Sequence, residues 1–362
     1  MIDSETAILS GQAWDAYCDA LKAAGAAILR PETPVTALDR AEGWRFLSRL
    51  ARMGLEMMVE CADPEFPAFY RATHETVKIL GDNPDTLYGN ATISGTRRYR
   101  ISGQRGTAPY LTFGTKANRL ATAGTLVSTG ELDAADMAFG PDGSFEIALS
   151  RDRQPGNWLP LDADSSMLLV RETFLDRARE TPTRLAIECL DRPAAPAPLS
   201  AEKLRTGLAA AAGFVAGTAR TTVEWAEMFR RRPNLLPRLD QDFFQRAGGH
   251  PSIYYCHGYW ELGPDEALEI HTEIPPCTYW NFVLQNYWME STDYRFLASY
   301  VNKRSAHRNA DGTVTIIVAS RDPGAANFID TAGHRSGTML LRWVGATEHP
   351  EPRCRVIPLQ TR

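Results

Sequence analysis

The chain has 362 residues, 44% of them hydrophobic and 23% charged, with a net charge of -5. That is an ordinary globular composition, long enough for about two domains. No basic stripe marks a nucleic-acid partner and no polybasic cluster marks a membrane surface, so neither partner is expected.

The N-terminus lacks a basic segment followed by a long apolar one, so no signal peptide is expected. No apolar run approaches the roughly 18 residues of a membrane span. The six cysteines are scattered, with no C-x-x-C pair. They read as reduced, mostly buried thiols of a cytoplasmic protein.

Residues 1–81 read as a helical N-terminal region. In "GQAWDAYCDALKAAGAAIL", Trp14, Tyr17, Cys18 and Leu21 recur at helical spacing. The stronger helix follows Asp39, a candidate cap, with Trp44, Leu50, Met57 and Cys61 on one face.

From residue 86 the period changes to two, and residues 82–192 read as an antiparallel β region. "TLYGNATISG", "TRRYRISGQRG" and "TAPYLTFGT" are its first strands, "GPDGSFEIALS" is a hairpin, and "SSMLLVRETF" and "RLAIECL" close it. Residues 193–250 read as a linker and helical hairpin, with Ser200 capping the first helix and the second stopping at Pro233. Residues 251–362 hold six candidate strands at the spacing of a β-sandwich or jelly roll. The class expected is therefore multi-domain α+β. No internal repeat is evident.

Four stretches together resemble an uncharacterised bacterial family: "DNPDTLYGNATISGTRRYRISGQRGT", "GNWLPLDADSSMLLVRETFLDRARETPTRLAIE", "YWNFVLQNYWMESTDYR" and "SRDPGAANFIDTAGHRSGTMLLRW". This is the family carrying the domain of unknown function numbered 1214 at its C-terminus. The resemblance implies an α+β protein ending in a β-sandwich, and it carries over no catalytic residue. His271 departs from the family pattern, so a mechanism built on it would not be the family's.

Three constellations carry possible chemistry. Residues 252–274 read as a hairpin, which places His257, His271 and Glu273 on one polar face. That face is either a divalent metal site or a wet sheet face with cross-strand pairs. In "TYWNFVLQNYWME", Tyr279, Asn281, Gln285 and Tyr287 share one face, while Trp280, Asn286 and Trp288 share the other. Large apolar groups and amides on both faces suggest a strand covered on both sides. It is either a wall of a small-molecule pocket, with Arg342 stabilising charge, or a central sandwich strand with polar anchors. In the loop after residue 320, His334 with Asp330 or Asp322 makes a candidate acid/base pair, with Arg321 nearby, and His257 is a second candidate acid or base. The same loop also reads as structural, its aspartates making Asx turns.

"LDADSS" lacks the Gly and distal Glu of a calcium loop, and no P-loop, G-x-G-x-x-G or nucleophile elbow occurs. No nucleotide cofactor is expected, and a divalent metal is possible. The functional expectation is an enzyme acting on a small organic molecule by acid/base chemistry in the C-terminal β domain. The alternative is a non-catalytic binding or assembly protein, with a homo-oligomer possible.

Overall fold

The computed structural model describes residues 3–359. Two short helices, α1 (Ser4–Leu9) and α2 (Gln12–Ala24), precede α3 (Ala37–Leu55), which continues into a π turn at Glu56–Glu60. Asp39 does not cap α3. Thr36 does, its hydroxyl accepting from the Asp39 amide at 3.1 Å and donating to one oxygen of the Asp39 carboxylate, which leaves the other oxygen to bond elsewhere. Phe46, Leu50, Met53 and Met57 form the buried stripe, and Trp44 remains 45% exposed.

The first sandwich comprises β1 (Thr86–Thr92), β2 (Tyr99–Gln104), β3 (Tyr110–Arg119), β4 (Thr125–Asp133), β5 (Ser144–Ser150), β6 (Trp158–Pro160), β7 (Met167–Thr173) and β8 (Arg184–Cys189). A one-turn helix, α4 (Leu120–Ala123), separates β3 from β4. The sheets run β1-β7-β3-β4 and β6-β5-β2-β8.

Next comes α5 (Ala201–Arg230), capped by Ser200, then α6 (Gln241–Arg246). Where two helices were expected, one 30-residue helix runs through. No proline interrupts it, and Gly217 is retained where the helix meets α4: a Cβ there would lie 2.5 Å from the Leu120 carbonyl oxygen.

The second sandwich comprises β9 (Ile253–Glu261), β10 (Glu266–Thr272), β11 (Tyr279–Leu284), β12 (Tyr300–Asn302), β13 (Val314–Ala319), β14 (Phe328–Asp330), β15 (Ser336–Val344) and β16 (Arg353–Pro358). Its sheets run β9-β15-β11-β12 and β14-β13-β10-β16. Strand for strand this is the order of the first sandwich. Even the single parallel pair recurs, β5 with β6 and β13 with β14.

The chain is therefore internally duplicated, which corrects the reading that it holds no repeat. Equivalent residues confirm the match. Asn157 donates to the carbonyls of Ala138 (2.9 Å) and Glu146 (3.0 Å) and accepts from the Ala138 amide (2.8 Å). Asn327 donates to His307 (2.8 Å) and Thr315 (2.9 Å) and accepts from the His307 amide (2.7 Å). Each asparagine follows a Ser-Arg-Asp turn, at 150–152 and 320–322. The sequence trace is this thin because a sandwich constrains burial and turns, and many apolar side chains satisfy both.

The repeats exchange contacts. The segment leading into each sandwich packs on the other sandwich. Tyr279 of β11 donates to Asp85 at 2.6 Å, and Tyr110 of β3 bonds Ser252 at 2.8 Å. Helix α3 seals the turn after β11, where the Trp288 indole donates to the Asp39 carbonyl at 2.9 Å and Arg49 pairs with buried Glu290 at 2.7 Å. Helix α5 does the same for the turn after β3.

Candidate functional site

The sheets that face each other across this junction are β1-β7-β3-β4 and β9-β15-β11-β12. They do not close completely. Between them, roofed by α3, α5 and α6, lies a cavity of about 160 Å³, close to the roughly 150 Å³ that admits a benzene-sized guest. Its lining is largely apolar: Met53 and Met57 from the helical roof, Phe214 and Trp225 from α5, Met167 and Leu169 from β7.

The polar lining comes in equivalent pairs, one member from each repeat. Tyr88 and Tyr255 occupy matched positions on β1 and β9, and each sits opposite an arginine, Arg171 on β7 and Arg342 on β15. The Tyr88 hydroxyl accepts from the Asn83 amide at 3.0 Å, and the Tyr255 hydroxyl accepts from the His250 amide at 3.1 Å. Arg171 donates to the Gly248 carbonyl, and Arg342 donates to the Gly81 carbonyl. Each arginine thus reaches into the lead-in of the other repeat. Those glycines have φ of 103° and 80°, a left-handed turn that non-glycine residues seldom adopt. Two residues beyond each tyrosine stand Asn90 and His257.

Three buried polar atoms around this space have no hydrogen-bond partner: Asn90 Oδ1, His257 Nδ1 and Gln285 Nε2. A Cβ on Gly81 would sit 3.0 Å from Gln285 Nε2 and 3.7 Å from His257 Cε1, so the two side chains border one spot. His257 lies within an aromatic stack, its ring 4.6 Å from Phe244 and 4.9 Å from Phe229. Burial first, and the Arg342 guanidinium second, push its pKa well below the usual imidazole value, so the ring is neutral near pH 7. Burial raises the Tyr88 phenol, while Arg342 and Arg171 both pull it down.

Behind the cavity on the first repeat, buried Lys116 pairs with half-buried Glu131, and Glu131 lies 3.4 Å from His250 Nε2. Burial and the nearby Arg171 bring Lys116 down to about 8, against the pull of Glu131. Burial brings His250 down to about 4.

Of the residues singled out from sequence, this cavity takes His257 and Arg342, with Gln285 at its edge. The expected hairpin does not form. β9 and β10 lie in different sheets of the sandwich, because the turn between them crosses from one layer to the other. His257 therefore faces the interior, 2% exposed, while His271 bonds Thr315 at 3.1 Å on the outer sheet and Glu273 is exposed. The metal site built on these three residues is not assembled. Among the described residues no other group of three His, Cys, Asp or Glu side chains converges in a metal-binding arrangement.

The loop residues do not converge on the cavity either. His334 is buried and bonds Asp39 at 2.9 Å, and Asp330 accepts from the Ala332 amide in an Asx turn. Burial disfavours ionisation of Asp39, but the bonds from His334 and Thr36 outweigh it and hold its pKa below the usual carboxylate value. Arg321 is exposed and pairs with Asp265 at 3.1 Å.

Strand β11 is buried on both faces, as its composition suggested. The amides at 281, 285 and 286, in this strand and just beyond it, bond mostly other side chains, apart from the unpartnered Gln285 Nε2. Asn281 donates to Asn83 at 2.9 Å, and Gln285 accepts from Thr338 at 2.8 Å. Asn286 caps the turn that carries Tyr287 and Trp288, accepting from the Trp288 amide at 2.9 Å under α3. These aromatics belong to the helix–sandwich contact rather than to the cavity.

Arg171, Tyr88 and Asn90 were missed, because each was read inside one unremarkable strand. The signal lay in comparing the halves: "GDNPDTLYGN" at 81–90 and "GGHPSIYYCH" at 248–257 share the Gly, the Pro and the Tyr at the same spacing.

The sequence pattern of a family described as "Protein of unknown function (DUF1214)" matches this chain twice, at residues 88–172 and 263–348. The domain is thus present in the central region as well as at the C-terminal end. A crystal structure of an uncharacterised protein from Burkholderia cenocepacia is 51% identical, covers 98% of this chain and 99% of its own, and superposes with a TM-score of 0.96. A structure from Vibrio parahaemolyticus is 12% identical over 87% of this chain and 97% of its own, with a TM-score of 0.49. No curated protein matches.

Proposed function

We propose, for a chain that belongs to the DUF1214 family of proteins of unknown function, that it binds a small, largely apolar organic molecule in the cavity between its two sandwiches. The observation that carries this reading is the pair of unpartnered polar atoms on Asn90 and His257 lining one apolar space, with a third on Gln285 at its edge. Buried polar groups are nearly always bonded, and an unbonded one costs roughly 1–3 kcal/mol. Two at one site, with a third beside it, suit a guest that supplies the missing partner. The reading is one of binding. Acid/base chemistry in the same cavity would fall to His257, and its low pKa makes it a weak base there. The six free thiols suit a reducing, cytoplasmic setting as part of this proposal.

Thermal denaturation of the full chain against a panel of ring-sized organic molecules tests the reading. A true ligand at a hundred times its Kd adds about 2.7 kcal/mol of stability. The cavity-filling change Ala72→Leu, at a lining residue, should abolish the shift. Panel molecules that stabilise the variant as well as the parent would place binding elsewhere. If no panel molecule stabilises the parent, and nothing is released when it is denatured, the proposal is wrong.

A further inference from the structure

We infer that the ligand is an organic carboxylate, its head group held by Arg171 and Arg342 and its apolar body by the methionines and aromatics of the roof. This rests on the binding reading above and adds the charge of the guest. The cavity has three charged lining residues, Asp82, Arg171 and Arg342. Asp82 is already occupied: its two oxygens accept from the Ser291 amide at 2.8 Å and the Ser291 hydroxyl at 2.7 Å. Neither arginine has a carboxylate partner among the described residues. Arg171 bonds the Gly248 carbonyl. Arg342 bonds the carbonyls of Gly81 and Asp82 and, at 3.5 Å, the Asn281 amide oxygen.

A guanidinium carries five N–H donors, more than these acceptors use. Arg342 is buried and Arg171 half-buried; a buried cation without a counter-ion is unfavourable, and a second guanidinium bordering the same cavity adds to the cost. An anion relieves both. The neutral groups fit the same guest. Neither His257 nitrogen bonds protein among the described residues, and its neutral ring carries one N–H to give. The Asn90 amide nitrogen meets only the Met167 sulfur, at 3.5 Å, so a half-turn of the carboxamide brings a proper donor to the cavity.

The alternatives fit less well. A cationic guest would find no free carboxylate. A phosphate ester would bring about two charges and three acceptor oxygens into a mostly apolar space. A carboxylate matches two guanidiniums with two oxygens.

Isothermal titration of the full chain at pH 7.5 with benzoate and hexanoate, beside benzyl alcohol and 1-hexanol, decides the matter. Each acid and alcohol pair shares an apolar body and differs in the head group. At least one carboxylate should bind, at least tenfold more tightly than its alcohol. Arg171→Met and Arg342→Met should each remove that preference, lowering carboxylate affinity at least tenfold more than alcohol affinity. Arg171→Lys and Arg342→Lys, which keep the charge, should retain part of it and serve where a methionine variant fails to fold. Alcohols binding as tightly as the acids, or arginine variants with unchanged carboxylate affinity, would overturn the inference and leave the binding reading standing. Binding of phenylphosphonate in preference to both acids would also overturn it. If neither acids nor alcohols bind and denaturation releases no guest, both readings fall together.

Discussion

At the scale of single residues, the junction between the repeats is marked by ionisable groups whose protonation burial shifts away from its course in water. His250 is the clearest. Its pKa falls from about 6.5 in the unfolded chain to about 4 in the fold, because burial penalises the imidazolium. Above pH 6.5 both states are neutral and the residue contributes nothing to pH dependence. As pH drops from 6.5 towards 4, the unfolded chain takes up a proton that the folded one refuses. Stability then falls, by about 1.4 kcal/mol per pH unit and by roughly 3 kcal/mol in all. His257 acts in the same direction. The change His250→Asn installs the residue that the first repeat carries at the matched position, Asn83. Urea denaturation between pH 7 and pH 4.5 should show a shallower loss in this variant than in the parent. Parallel curves would mean that His250 titrates normally.

At the scale of elements, two of the three glycines of the long helix α5 differ in what their place in the fold requires. A Cβ on Gly213 would meet only the Ala121 Cβ, at 3.5 Å, an ordinary contact. A Cβ on Gly217 would strike the Leu120 carbonyl oxygen at 2.5 Å. Replacing glycine by alanine inside a helix favours folding by about 1 kcal/mol. Gly213→Ala should therefore stabilise the protein by up to about that amount. Gly217→Ala should destabilise it by up to about 2 kcal/mol net, because overpacking costs about 1–3 kcal/mol against the helix gain of about 1 kcal/mol. Thermal melts of the two variants should move in opposite directions, and a shared sign would contradict the close approach of α5 to α4. Helix propensity and periodicity made α5 visible in the sequence. That it was one helix rather than two was not visible, because Thr221 and Thr222 read as a weak start when their buried setting is unknown.

At the scale of the whole molecule, the exchanged lead-in segments make each half incomplete without the other. Tyr110, Arg171, Tyr279 and Arg342 all bond residues of the opposite repeat. The connection near residues 192–199 is exposed and is a natural place to cut. Fragments 1–195 and 196–362, co-expressed, should assemble one-to-one and melt cooperatively, and neither alone should. A fragment that folds by itself would show that the exchanged contacts are dispensable. By itself, the sequence determined what repeats locally: the helical and two-residue periods, the C-terminal sandwich, the strand at 279–284 buried on both faces and the family resemblance. The resemblance rests on particular matched stretches; the others follow from the spacing of apolar residues and from turn chemistry, which act over a few residues. Only the tertiary structure decided the rest. It separated His257 from His271, paired His334 with Asp39, and brought Arg171 and Arg342 from matched strands of two repeats to one cavity. Such a site is made of residues about 170 positions apart. What joins them is the order of strands in a sheet and the packing of two sheets, which no local pattern encodes.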